Sequence, residues 1–155
     1  MKYSDIELKE ILNIANVIAI EAHTGQVDKT GKPYFQHALT VSKRCKTLEG
    51  KIVGFLHDVL EDCPSWSPTK LIERGIPAYL VDVVLLLTHE KSETYDAYID
   101  RVMTNKLAVE VKISDLKHNM DLTRNKTGLT PKDIERTIKY HRNYVKLYKF
   151  LSTHD

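Results

Sequence analysis

The sequence predicts an all-α fold, a bundle of about eight helices, on three observations. Apolar residues recur at helical spacing through most of the 155-residue chain. Several of those stretches open on capping signals, among them Ser4 with Glu7, Ser67 before Pro68, and Thr130 before Pro131. No pair of segments shows the polar–apolar alternation that a half-buried sheet requires.

The first stripe runs from Ser4 to Ala22 through Ile6, Leu8, Ile11, Leu12, Ile14, Ala15, Ile18 and Ala19. Two glycines and Pro33 make the stretch from His23 to Pro33 a loop. A second helix is expected from about Tyr34 to Thr47. A third starts at Gly50 and continues unbroken through Phe55, Leu56, Val59 and Leu60 to the break at Cys63–Pro68. Ser67 and Pro68 begin a short helix to Arg74, which Gly75 stops. The run from Ala78 to Thr88 holds enough valine and leucine to pass for a strand, and its helical neighbours favour helix. Further helices are expected at Thr94–Met103 and Lys106–Asn119, then a polar loop from Thr123, then a last helix to about Leu151.

An apolar fraction of 42% is enough to offset chain entropy, which excludes a disordered chain. A net charge of +2 is too small to imply nucleic-acid binding. No apolar run reaches the roughly 18–20 residues of a membrane span. Asp5, Glu7 and Glu10 interrupt what would have to be a secretory signal. A single domain over residues 1–155, in the cytoplasm, is the expectation. Cys45 and Cys63 fit no zinc-ligand spacing and read as reduced thiols, with a disulfide between them still open.

Chemistry concentrates in Phe55-Leu-His-Asp-Val-Leu-Glu-Asp62, where four ionisable residues sit among large aliphatics. On a continuous helix His57 and Asp58 form one tier, and Glu61 and Asp62 the next, one turn on. Imidazole beside carboxylate suits a divalent transition metal such as Mn²⁺, Zn²⁺ or Fe²⁺. Two ligands do not make a site. Asp115, a charge inside Val111-Lys-Ile-Ser-Asp-Leu, and His37 are the remote candidates. Two histidines and two carboxylates leave positions open for water and substrate.

Three motifs follow one another: Ala22-His-Thr-Gly-Gln-Val-Asp-Lys-Thr-Gly-Lys-Pro-Tyr-Phe-Gln-His37, Phe55–Asp62, and Val111-Lys-Ile-Ser-Asp-Leu-Lys-His-Asn-Met120. In that order they resemble the hydrolase domain of RelA/SpoT-type alarmone enzymes and the small alarmone hydrolases, over about Ile14 to Leu151. The resemblance implies an HD-superfamily helical bundle. It also implies Mn²⁺-dependent removal of the 3′-pyrophosphate from guanosine tetra- and pentaphosphate, the chemistry of the stringent response. Carried over by motif, His37, His57, Asp58 and Asp115 are the metal ligands, and Glu61 and Asp62 the catalytic acidic pair. Lys29, Thr30 and Asn119 line the nucleotide pocket. Lys112 is a candidate for neutralising phosphate, and Tyr34 and Tyr140 for flanking the nucleotide or packing in the core.

The chain departs from the family at Asp28, where a basic residue is usual, at Asp121, usually Arg, and at Ala38, usually Pro. The base of the nucleotide is thereby left open. An adenine alarmone or a nucleoside monophosphate is the alternative substrate, and a catalytically silent nucleotide-binding module the alternative class. A role opposite a toxic nucleotide synthetase and assembly as a homo-oligomer also stay open. His118 is read as a non-ligand, His89 as outside the motifs, and the basic residues of the last helix, Lys132 to Lys149, as a solvated face.

Overall fold

The computed structural model describes residues 2–154 and is all-α. Its helices are α1 (Asp5–Ala22), α2 (Phe35–Arg44), α3 (Leu48–Leu56), the single turn α4 (Val59–Asp62), α5 (Pro68–Glu73), α6 (Ala78–Leu86), α7 (Tyr95–Val102), α8 (Lys106–Asn119) and α9 (Pro131–Thr153). A 3₁₀ turn covers Leu122–Arg124. Among the described residues the sole β pairing is an isolated bridge between Val27 and Pro33 in the first loop.

Local chemistry accounts for most of the boundaries. Ser4 and Glu7 form the expected capping box, with the Glu7 carboxylate accepting from the Ser4 amide at 2.7 Å. Ser67, Thr94 and Thr130 cap α5, α7 and α9 through their side-chain oxygens. The stretch at 78–86 is helix, as expected. Its run of valines and leucines reflects burial, since Leu80, Val81, Val83 and Val84 lie in the core.

Helix α3 is the centre of the molecule. It is buried on nearly every side, between α1 and α2, with α8 and α6 against it. Two expectations are corrected at its ends. The second helix stops at Arg44, because Cys45 is extended and Thr47 serves as the N-cap of α3, accepting from the Gly50 amide at 2.9 Å. The third helix is not continuous. His57 Nδ1–H donates to the Gly54 carbonyl at 2.7 Å, so the ring takes the oxygen to which the Asp58 amide would otherwise bond. The ladder breaks there and resumes as α4.

Three ties hold the helices that surround this break. Ser42 Oγ donates to the Lys51 carbonyl (2.8 Å) and links α2 to α3. Ser114 Oγ donates to the Val41 carbonyl (2.8 Å) and links α8 to α2. Glu110 on α8 accepts from the amides of Lys46 and Thr47 at the start of α3. The α2 and α3 backbones also meet closely: a Cβ on Gly54 would lie 2.8 Å from Ser42 Cα. That neighbour is main chain and has no rotamer to yield. Gly54→Ala is therefore expected to cost about 1–3 kcal/mol through overpacking, read from urea unfolding. An unchanged unfolding midpoint would show that the two helices move apart freely.

Candidate metal centre and its clefts

Helix α2 brings His37, the α3–α4 junction brings His57 and Asp58, and α8 brings Asp115. One ligand-capable atom from each of the four lies within 4.8 Å of the others. His37 Nε2 is 2.9 Å from Asp115 Oδ1 and 3.6 Å from Asp58 Oδ2. His57 Nε2 is 3.0 Å from Asp58 Oδ2 and 3.3 Å from Asp115 Oδ1. The histidines and Asp115 are buried, and Asp58 nearly so.

Each of the four is held by a further contact. His57 is fixed through Gly54, as described. Tyr34 Oη donates to Asp58 Oδ2 at 2.5 Å. Asp115 accepts from Lys112 Nζ at 2.8 Å and Asn119 Nδ2 at 3.1 Å. His37 Nδ1 is 2.7 Å from His118 Nδ1.

The electrostatics fit a cation. Burial opposes the charge on Asp58, yet His57 beside it holds its carboxyl well below the usual range. Burial likewise opposes charge on Asp115, and Lys112 first, then the histidines, hold it well below. Burial disfavours a proton on His57, but Asp58 and Asp115 raise its pKa well above the ordinary value. The His57 proton thus stands where a divalent ion would balance the two carboxylates, and binding the ion would release it.

Two clefts open beside this cluster. One, of about 390 Å³, lies over His57, Asp58 and Asp115 and includes Glu61, Asp62, His89 and Lys139. The other, of about 350 Å³, is lined by Val27, Asp28, Lys29, Thr30, Leu122, Arg124 and Arg136 among others. Tyr34, Asn119 and Tyr140 belong to both and mark where they join. Glu61 is oriented by the His89 amide, which donates to its Oε1 at 2.7 Å. Asp62 and Glu61 reach the cleft from α4, among protein atoms that remove part of their water. That desolvation, then Asp58 and Glu61, push the Asp62 carboxyl up to about 6. Desolvation also raises Glu61, against the His89 hydrogen bond.

Several expected roles change in detail. Lys112 lines the first cleft, where it is buried, bonded to Asp115 and set against the rings of Tyr95 and Tyr98. Thr30 lines the second cleft, but its hydroxyl donates to Asp28 at 2.6 Å. Asp28 is occupied as well. Its Oδ1 accepts from Thr30 and the Lys32 amide, and its Oδ2 from Arg124 at 3.0 Å. Lys29 lines the second cleft with Arg136, and desolvation, then Arg136, lower its pKa. Arg136 and Lys139, read from sequence as part of a solvated face, both line the clefts. His118, a non-ligand by its spacing, and His89, outside the motifs, meet His37 and Glu61 through tertiary contacts that the sequence does not announce. His118 is buried, and desolvation, then Arg124, lower its pKa to about 4. Cys45 and Cys63 are free, and burial pushes them up to about 12 and about 11, so neither is a reactive thiol at neutral pH. No described helix is long and apolar enough to cross a membrane.

Comparison with known proteins adds three relatives, each matched over a limited segment. A guanosine-3′,5′-bis(diphosphate) 3′-pyrophosphohydrolase of Haemophilus influenzae is 32% identical over 117 residues, covering 67% of this chain. A GTP pyrophosphokinase of Myxococcus xanthus is 30% identical over 128 residues, covering 72%. A bifunctional (p)ppGpp synthase/hydrolase, SpoT, of Escherichia coli K12 is 29% identical over 125 residues, covering 70%. The match spans 17% of the length of each. No family profile matches the chain.

Proposed function

The chain is a relative of the RelA/SpoT-type alarmone enzymes, and from that premise we propose that it is a Mn²⁺-dependent pyrophosphohydrolase that removes the 3′-pyrophosphate from a (p)ppGpp-like nucleotide. The observation that carries this reading is the convergence of His37, His57, Asp58 and Asp115 within 4.8 Å, at the floor of a cleft that also holds Glu61 and Asp62. A binding module has no need of the two carboxylates poised beside the metal ligands.

In the proposed reaction the four residues hold the metal through His37 Nε2, His57 Nε2 and one oxygen each of Asp58 and Asp115. When bound, the ion polarises a phosphoryl oxygen and acidifies water. Glu61, with Oε1 fixed by the His89 amide, presents Oε2 to accept the proton of the attacking water. Water oxygen bonds to the phosphorus nearest the ribose, the P–O3′ bond breaks, and pyrophosphate leaves as O3′ takes a proton from solvent, to which Glu61 then releases the one it accepted. Lys139, at the cleft over the metal, balances charge on the departing pyrophosphate. Lys29 and Arg136 do the same for the 5′-phosphates in the second cleft, whose apolar wall of Val27, Leu122 and Leu129 receives the base.

The test is product analysis after Mn²⁺ is added to metal-stripped protein with a panel of ppGpp, pppGpp, the adenosine polyphosphates and nucleoside monophosphates. Pyrophosphate and a 3′-hydroxyl nucleotide are expected from the guanosine polyphosphates. Orthophosphate as the only product, or turnover confined to monophosphates, overturns the proposal. Asp28, committed to its own loop and to Arg124, makes the adenosine arm the informative comparison.

A further inference from the structure

His118 contributes nothing to the ligand set, yet it is buried and its ring meets a ligand. The two Nδ1 atoms are 2.7 Å apart, the ring centroids 4.9 Å apart, and the ring planes within 15°. Near-parallel rings stacked face to face keep their atoms about 3.5 Å apart or more. The rings therefore lie edge to edge, with a proton shared in-plane between the nitrogens. His118 sits on α8, three residues beyond Asp115, and its carbonyl accepts from Arg124 Nη1 at 3.0 Å. The ring is thus carried by the helix that bears another ligand.

We infer that His118 is the positioning residue for His37: its Nδ1 accepts the Nδ1–H of His37 and leaves the His37 Nε2 lone pair aimed between Asp58 and Asp115. The inference rests on the proposed metal centre. A neutral imidazole carries one N–H, so a ring that gives Nε2 to a cation must hold its proton on Nδ1. An acceptor at that place fixes tautomer and ring plane together and raises the basicity of the ligand. His57 has its acceptor in the Gly54 carbonyl. His37 lies near the start of α2, where its Nδ1 meets no main-chain carbonyl, and a second imidazole fills that role.

Two substitutions separate positioning from packing. His118→Phe keeps a planar ring and loses the acceptor. His118→Gln loses the ring and offers a carbonyl oxygen to the His37 N–H. Calorimetric titration of Mn²⁺ into metal-free protein should show affinity about 10–100-fold weaker in His118→Phe, the range of outer-partner losses, with most of it regained in His118→Gln. Thermal unfolding of the metal-free variants reports packing separately. If the ring only fills space the order reverses, with His118→Phe binding like wild type and His118→Gln impaired, and the inference fails alone. A wild-type chain that takes up no Mn²⁺ overturns the metal centre together with this inference. Independent of any variant, nitrogen-15 NMR of the Zn²⁺-loaded wild type should find the proton on His37 Nδ1 and none on His118 Nδ1. A proton on His118 Nδ1 overturns the assignment.

Discussion

Asp115→Ala is expected to cost about 3–5 kcal/mol of stability and to abolish divalent-metal binding. Asp115 joins α8 to both histidines and is the carboxylate partner of Lys112. Without it, an ammonium group in a setting that otherwise offers the rings of Tyr95 and Tyr98 is left buried and unpaired. In the intact pair burial opposes both charges, yet Lys112 is held well above its ordinary pKa and Asp115 well below. The stability it contributes is present through the neutral range. It fades only as pH falls below the usual carboxylate value or rises beyond the usual lysine value. In the variant the sign reverses for Lys112. Burial makes the folded ammonium easier to deprotonate than the unfolded one, so unfolding takes up a proton and stability recovers as pH climbs toward about 10.4. Urea unfolding at pH 7 and pH 10 measures this, and a deficit that does not shrink with pH counts against the unpaired-lysine account. Adding Lys112→Met to Asp115→Ala should restore much of the stability and none of the Mn²⁺ binding.

The acidic pair on α4 should show activity and stability in opposition. Glu61→Gln is expected to lower kcat about 10²–10⁴-fold while leaving Mn²⁺ affinity intact, since Glu61 is not among the four ligands. Asp62→Asn should raise the unfolding temperature of the metal-free chain at pH 7. Desolvation first, then Asp58 and Glu61, lift the folded pKa of Asp62 to about 6, above its unfolded value near 3.8. The folded chain therefore binds that proton more tightly, and stability declines as pH rises from about 3.8 to about 6 before levelling. Asparagine removes the decline, so variant and wild type should converge near pH 3.5. A lower melting temperature for Asp62→Asn at pH 7 would contradict a strained carboxylate.

The helical periods and their caps could be read from the chain because both are local: Ser4 with Glu7, Ser67 with Pro68 and Thr130 with Pro131 act within a single turn. His57, Asp58 and Asp115 stand out in sequence for a different reason, as groups costly to desolvate placed inside apolar runs, and His37 through the motif that ends on it. What stayed hidden depends on meetings between distant segments or on competition for one atom. The break after Leu56 arises because an imidazole reaches back to Gly54, a contest that hydrophobic spacing does not register. His89 matters through its main-chain amide, which has no sequence signature. His118 matters because α8 crosses α2 beside residue 37. The pairing of Lys112 with Asp115 is legible in the chain as well. An ammonium three residues before an aspartate on one helix is a pair within reach, and its apolar neighbours pointed to burial rather than to a hand extended into solvent.

The close approach of α2 and α3 has a bearing on how far apart two of the clustered imidazoles stand. His37 rides on one of these helices and His57 ends the other, so the gap between them enters the spacing of the two rings. One place where that gap is narrow is Gly54, where a hydrogen faces the Ser42 main chain. Under the proposed function, the span that a divalent ion would meet between these two imidazoles is therefore lodged partly in a position with no side chain.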